Sequence, residues 1–148
     1  MSAAKQPLKP LPRTDHPVDV GHRTEGSILY YLVSAGYSVC VPVGVNRRYD
    51  LVVDVEGCFV RAQCKTGRYR NGAIVFSTQS MITSKTRNVP RDYHGEAEVF
   101  LVHCPDFDQV FCVPVDQAAK GSMFLRVDST RNGQQQGVHW AAEYQLPG

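Results

Sequence analysis

The sequence predicts an α/β fold, on three observations. Apolar residues recur at helical spacing over residues 18–35. Residues 47–66, RRYDLVVDVEGCFVRAQCKT, form two β-rich runs that meet at Glu56-Gly57, a dipeptide suited to a tight turn. A second pair of runs, 98–104 and 109–115, is separated by Pro105-Asp106-Phe107-Asp108, which reads as the turn of another hairpin.

A chain of 148 residues suits one domain with a sizeable core. At 43% hydrophobic and 20% charged it is neither disordered nor fibrous in composition. The net charge of +2 is too small to imply a polyanionic partner, so only local clustering bears on that question. Cys40, Cys58, Cys64, Cys104 and Cys112 are odd in number, lack a CxxC pair and sit in apolar runs. That pattern predicts reduced, buried thiols, not a disulfide framework or a zinc site. No apolar run approaches membrane-spanning length and no signal-peptide core is present, so no membrane partner is expected and the expected address is the cytoplasm.

In chain order, residues 1–17 hold four of the nine prolines and read as a flexible N-terminal arm. Lys5, Lys9 and Arg13 would then touch a phosphate backbone or simply be solvated. The single folded domain is expected over residues 18–148. Its first helix buries Ile28, Leu29, Leu32 and Val33, with Val18 earlier, and stops at Gly36. Glu25 lies one turn before Leu29, and His22 three residues earlier is either on its face or an ordinary surface histidine. Residues 37–43 read as a strand that runs through Gly44-Val45-Asn46 to Arg47-Arg48. After the first hairpin, Asn71-Gly72 is a turn into a strand over 73–78, and residues 80–88 are either a short helix capped by Ser80 or a loop. Segments 124–127 and 138–144 complete the sheet or an oligomer contact, with Trp140 as a packing anchor.

The first hairpin carries the chemistry. With Glu56-Gly57 as its loop, Val55 faces Cys58 and Asp50 lies opposite Gln63; side chains alternate, so Lys65 shares their face. The other face collects Leu51, Val53, Val55, Cys58, Val60, Ala62 and Cys64, which predicts a core surface. A carboxylate, an amide oxygen and an ammonium thus meet at one end of the hairpin. Two oxygens there suit a hard cation such as Mg²⁺, and the lysine suits a water nucleophile or the charge developing on a phosphate. Arg47, Arg48, Arg68 and Arg70 surround this end as a positive patch or a solvated basic loop. Tyr49 and Tyr69 would pack there or lie beside a sugar or base.

These residues resemble a known pattern. D-x₁₂-Q-x-K preceded by a helical Glu is similar to the PD-(D/E)xK nucleases, and most of all to the branch that contains group I intron homing endonucleases, where Gln replaces the usual acid. YDLVVD and RAQCKTG are the close matches, the segment from Glu25 to Gly36 supports them, and a looser similarity runs through FLVHCPDFDQVFCVPVD and NGQQQGVHWAAEYQL. The resemblance spans the chain from about Val20 to the C-terminus.

It implies a restriction-endonuclease-like core, a central mixed β-sheet flanked by helices. It implies a metal-dependent endonuclease acting on double-stranded DNA, with Mg²⁺ held by Glu25, Asp50 and Gln63 and Mn²⁺ as a substitute. A backbone carbonyl of Ala62 or Cys64 would add a ligand, and Lys65, kept protonated by its acidic neighbours, would complete the catalytic set. Lys85, Arg87 and Arg91 become a second DNA-facing segment ended by Pro90, with Tyr93 reading or stacking. Glu96 and Glu98 stand where similar proteins often carry an acid. Cutting both strands implies a homodimer, as in restriction and junction-resolving branches, or a homotetramer, as in homing branches. Gln63 brings no negative charge, which keeps two other readings open: a weak or inactive DNA- or junction-binding protein on the same fold, and a structural protein whose polar cluster is merely a satisfied edge.

Overall fold

The computed structural model describes residues 12–44 and 47–147. Most of the expected N-terminal arm, including Lys5 and Lys9, lies outside the described residues, as do Val45 and Asn46 of the loop before Arg47.

Helix α1 (Pro17–Ser34) starts with proline at a position that needs no N–H, and the His16 ring Nδ1 accepts from the Val18 amide. It ends where Gly36, at φ 89°, lets Tyr37 N–H reach back to the Leu32 carbonyl at 2.9 Å. Its buried stripe is Thr24, Ile28 and Leu32. Val18 and Val33, expected in that stripe, are more than half exposed, because a face repeating every fourth residue rotates them outward.

The strands are β1 (Ser38–Cys40), β2 (Leu51–Val55), β3 (Cys58–Thr66), β4 (Arg68–Arg70), β5 (Ala73–Ser77), β6 (Ser80–Thr83), β7 (Asn88–Arg91), β8 (Val99–Cys104), β9 (Gln109–Pro114) and β10 (Ser122–Arg126), followed by the one-turn helix α2 (Ala141–Tyr144). The central sheet has the order β1-β2-β3-β8-β9 and is mixed, since β3 and β8 run parallel while every other pair is antiparallel. In the β2–β3 hairpin Val55 pairs with Cys58, and Glu56 and Gly57 both take positive φ, the turn geometry that matches strand twist.

Two cores lie on opposite faces of the central sheet. One packs Ile28 and Leu32 of α1 on Leu51, Val53, Ala62, Cys64, Leu101 and Val110. The other packs Phe100, Val102, Phe111 and Val113 against Ile74, Phe76, Met123 and Leu125 of a three-stranded sheet ordered β10-β5-β4. The central sheet is therefore flanked by a helix on one side and by a second sheet on the other. Strand β8, covered on both faces, is correspondingly apolar throughout except for His103.

The chain passes between the two sheets at Gly67. A Cβ there would lie 2.7 Å from Ile74 Cγ2 and 2.9 Å from Val102 Cγ1, so only glycine lets β3 turn directly into β4.

Three sequence expectations are corrected. Residues 80–88, read as helix or loop, instead begin the antiparallel ribbon β6–β7; Pro90 sits within it opposite Met81, tolerated because this ribbon joins neither sheet. Val55 and Cys58 are exposed, since the hairpin tip extends past the ground that α1 covers. Cys58 and Cys40 are therefore surface thiols, while Cys64 and Cys104 are buried and Cys112 is half-buried. The C-terminal segment joins the fold through β10, which pairs with β5, and through single bridges of Arg126 to Trp140 and Phe111 to Gln145. No helix among the described residues is long and apolar enough to cross a membrane.

Candidate active site

Asp50 stands one residue before β2. Its amide donates to the Ala62 carbonyl at 2.8 Å, one residue out of step with the Leu51–Ala62 pair, so the paired ladder ends at Leu51 and Asp50 leaves it beside Ala62 and not, as the sequence count expects, paired with Gln63. Its carboxylate Oδ2 accepts from the Cys64 amide at 2.9 Å. Burial pushes the Asp50 carboxyl above the ordinary range; the Cys64 amide and the Lys65 charge oppose this without cancelling it.

Glu25 approaches from α1. The turn that bears it is fixed by Thr24, whose buried hydroxyl shares a 2.5 Å hydrogen bond with that of Thr66 on β3. The Glu25 carboxyl is also raised, first by burial and then by the charge of Asp50, with His22 working the other way. His22, for all its exposure, is thus electrostatically coupled to Glu25. Burial drives the buried Cys64 thiol up as well, and the charges of Asp50 and Glu25 add to the effect. A helical acid, a strand acid and the β3 backbone therefore share one poorly solvated, negatively charged corner.

Lys65 faces that corner from a built support. Its Nζ donates to the Gln79 carbonyl and the Tyr93 hydroxyl, both at 3.3 Å, and lies 4.8 Å from the centre of the Tyr93 ring. The Arg48 guanidinium also stacks on the Tyr93 ring, 4.1 Å from its centroid. Arg48 is fixed in turn by Glu96 Oε2 at 2.5 Å, Ser80 Oγ at 2.6 Å and the Asp92 carbonyl at 2.5 Å. Beneath, Tyr93 meets Phe100 edge-on at 5.5 Å.

Two expected DNA contacts change character here. Tyr93 is 4% exposed, so it cannot stack on a base. Arg48 has its guanidinium committed to protein partners and does not present a free fork to phosphate. Arg47, Arg68 and Arg70 are exposed, the latter two on β4, and Lys85 and Arg87 are exposed in the turn of the β6–β7 ribbon. Tyr69 packs edge-on against Phe107 and donates its hydroxyl to Asp128.

The acids Glu96 and Glu98 are held by arginines. Glu96 binds Arg48 and Arg91; burial opposes its ionisation, but the two arginine hydrogen bonds outweigh it and lower the carboxyl. Glu98 is lowered by a side-chain bond from Arg61, despite partial burial, and also accepts from the Arg61 amide. The Gln79 carbonyl and the Arg48–Tyr93–Glu96 assembly escape a sequence reading, since their partners are separated by 14 to 48 residues with no local pattern.

Among the described residues no group of three or more His, Cys, Asp or Glu side chains is arranged to hold a metal ion. A cation at this corner would rest on two carboxylates, with amide and backbone oxygens completing the set. Those are hard donors, and a divalent cation would offset the cost of keeping the poorly solvated Glu25 and Asp50 carboxylates ionised. The residues fit such an ion.

The fold is similar to that of a solved bacterial homing endonuclease, I-Ssp6803I, with a TM-score of 0.70 and 20% identity over 84% of this chain and 85% of that one. The central mixed sheet with α1 against one face is thus a restriction-endonuclease-like core. No curated protein matches the chain. A family model described as PD-(D/E)XK endonuclease matches residues 16–147, nearly the whole sequence, and members of that family generally use divalent metal ions. The chain belongs to the PD-(D/E)XK endonuclease family.

Proposed function

We propose that this nuclease hydrolyses phosphodiester bonds in double-stranded DNA with a divalent cation, Mg²⁺ or in its place Mn²⁺, as a homodimer or homotetramer. The observation that carries the reading is the corner itself: Glu25 and Asp50 raised together, with Lys65 held beside them on the same strand as Gln63. Glu25, Asp50 and the Gln63 amide oxygen would hold the cation, with a β3 backbone carbonyl as a further ligand. Of the two considered, Ala62 already accepts from the Asp50 amide, which favours Cys64. When bound, the cation polarises the scissile phosphate and makes water a better nucleophile.

The protein residues do the rest. The Cys64 amide fixes one Asp50 oxygen, and the other would be the cation's ligand. Lys65, docked on Tyr93 and Gln79, keeps its ammonium at the lip, where it stabilises charge gathering on the phosphate as water attacks and the sugar oxygen departs. Tyr93 acts as a positioning residue for that ammonium. Arg47, Arg68 and Arg70 supply phosphate contacts. One site per chain cuts one strand, so a double-strand break takes two subunits.

The test is incubation of supercoiled plasmid with the full chain and Mg²⁺ or Mn²⁺. Nicked and linear products should appear, and Asp50→Ala and Lys65→Ala should abolish them while folding persists. The neutral Gln63 supports a second reading, a DNA- or junction-binding protein with a weak or lost catalyst. That reading expects salt-sensitive binding, no cleavage with any divalent ion, and indifference to Asp50→Asn.

A further inference from the structure

The β6–β7 ribbon stands apart from both main sheets, and every residue from 81 to 92 is exposed. Isolated two-stranded ribbons are marginal in water, so a protein that keeps one must brace it. Here the turn is braced by Ser84, whose amide and hydroxyl both donate to the Arg87 carbonyl while its Oγ accepts from the Arg87 amide. The root is braced by the active site. Ser80 accepts from Arg48, Arg91 pairs with Glu96, and Gln79, one residue before the ribbon, accepts from Lys65.

What the ribbon displays is chemically one-sided. From Gln79 to Arg91 there is no acidic residue, and Lys85, Arg87 and Arg91 carry positive charge. Between the cations are short hydrogen-bonding side chains, Thr83, Ser84, Thr86 and Asn88, and the apolar Met81, Ile82 and Val89, at 59%, 45% and 37% exposure. An apolar surface alone would suit another protein. Joined to an acid-free, basic tip beside a nuclease centre, it suits a polyanion that also offers apolar and hydrogen-bonding edges. The major groove of duplex DNA offers both, through thymine methyls and a distinct donor–acceptor pattern for each base pair. The dimensions agree: paired strands lie about 4.8 Å apart, and a groove roughly 12 Å wide admits a two-stranded ribbon with its side chains.

We propose that the β6–β7 ribbon is the sequence-reading element of this nuclease, laid into the major groove of duplex DNA beside the bond that is cut. Lys85 and Arg87 hold phosphates at the groove edges, while Thr83 and Asn88, which pair across the ribbon, face bases. Because Gln79 and Ser80 tie the ribbon root to Lys65 and Arg48, seating the ribbon also registers the scissile phosphate against the site. The inference rests on the DNA-endonuclease reading above.

The test uses the full chain and a pool of randomised duplex DNA, with binding measured without divalent cation and cleavage ends sequenced with Mn²⁺. Lys85→Ala/Arg87→Ala should weaken duplex binding about tenfold or more and flatten the salt dependence by roughly two ions. Thr83→Ala/Asn88→Ala should leave the salt dependence unchanged but broaden the selected cleavage sequence. A wild-type complex should shield guanine N7 in the major groove from dimethyl sulfate, and the Thr83/Asn88 variant should lose part of that protection. Unaltered affinity, site preference and N7 protection in both variants would overturn the ribbon's role while leaving the nuclease reading intact. A wild-type chain that neither binds nor cuts duplex DNA would bring down both. If either variant instead dissociates an oligomer while binding DNA normally, the ribbon is a contact between copies, and the proposal fails.

Discussion

The two halves of the active corner are built on opposite electrostatic principles. On one side Glu25 and Asp50 crowd together, poorly solvated, each pushed toward its protonated form. On the other, Lys65, Tyr93, Arg48 and Glu96 form a chain in which each polar group has a partner. Both are partly buried arrangements of charged groups gathered at β3. The difference teaches where the protein meets something it does not itself contain. The support for Lys65 is finished by folding, whereas the acidic lip is left with a charge that folding alone does not offset.

Breaking the lip should have the largest effect. Asp50→Ala removes one of only two carboxylates, and Lys65→Ala removes the ammonium; each should lower plasmid nicking by about a thousandfold, the scale for losing a preorganised charge-stabilising group. Circular dichroism should show both variants folded, because neither side chain belongs to the apolar cores.

Breaking the support should cost less and show differently. Tyr93→Phe keeps the ring on Phe100 and under Arg48 but removes the hydroxyl that meets Lys65. Its cleavage rate should fall about tenfold, the low end for a positioning defect, with KM for DNA little changed and folding unaffected. Tyr93→Leu should fall further and also destabilise the protein by about 3 kcal/mol, as for other large-to-small core changes. A purely structural Tyr93 would leave the Phe variant fully active.

Most of the lip was legible in the sequence because it depends on short-range rules. A two-residue turn and strand alternation suffice for the hairpin register from Val55–Cys58 to Leu51–Ala62 and for Gln63 and Lys65 sharing a face, while the count overshoots by one at Asp50, whose amide bonds to Ala62. The same alternation went wrong at Val55 and Cys58, since it assigns a face but does not say how far a helix will cover it. The support was illegible for a different reason. Arg48, Tyr93 and Glu96 come together only when the parallel pairing of β3 with β8 brings the segment before β8 to the site, and nothing local marks that crossover. Arg48 and Tyr93 therefore read as DNA contacts, the default for exposed Arg and Tyr, and Glu96 as an acid of the site. The ribbon was missed because its Pro90 and polar turn mimic a loop, and exposure removes the apolar alternation that announces a buried strand.

A third way to sharpen the comparison is titration of stability. A carboxyl raised in the folded state binds its proton more tightly there than in the unfolded chain. The stabilisation from Glu25 and Asp50 is thus fully present below the unfolded carboxylate value, about 4, and is lost as pH rises through their raised folded values. Metal-free protein should melt a few degrees lower at neutral pH than this pair would allow if relieved. Asp50→Asn should recover those degrees, since asparagine still accepts from the Cys64 amide. Mg²⁺ at neutral pH should raise the wild-type midpoint and leave the variant's unchanged. Glu96 and Glu98 slope the other way, with stability lost as pH falls, so the contrast is read as wild type minus Asp50→Asn, in which they cancel.

The smallest effect is expected at Glu98. It is an acid near the site in sequence, the type of residue that a nuclease pattern invites into the metal set, yet the structure ties it to Arg61 through both the side chain and the amide. That pair is largely exposed, so solvent screens its attraction and little stability depends on it. Glu98→Gln can still accept from the Arg61 amide and should shift the melting midpoint by a degree or less, with the Mg²⁺ dependence of nicking unchanged. Glu96→Gln, by contrast, loosens the half-buried anchor of Arg48 and should slow cleavage in the same sense as Tyr93→Phe. Two glutamates two residues apart, with equal charge and both bound by arginine, would then differ in effect because only one of them stands behind Lys65. Equal kinetic consequences at the two positions would mean that Lys65 is not held through Tyr93 and Arg48, and that its placement comes from β3 alone.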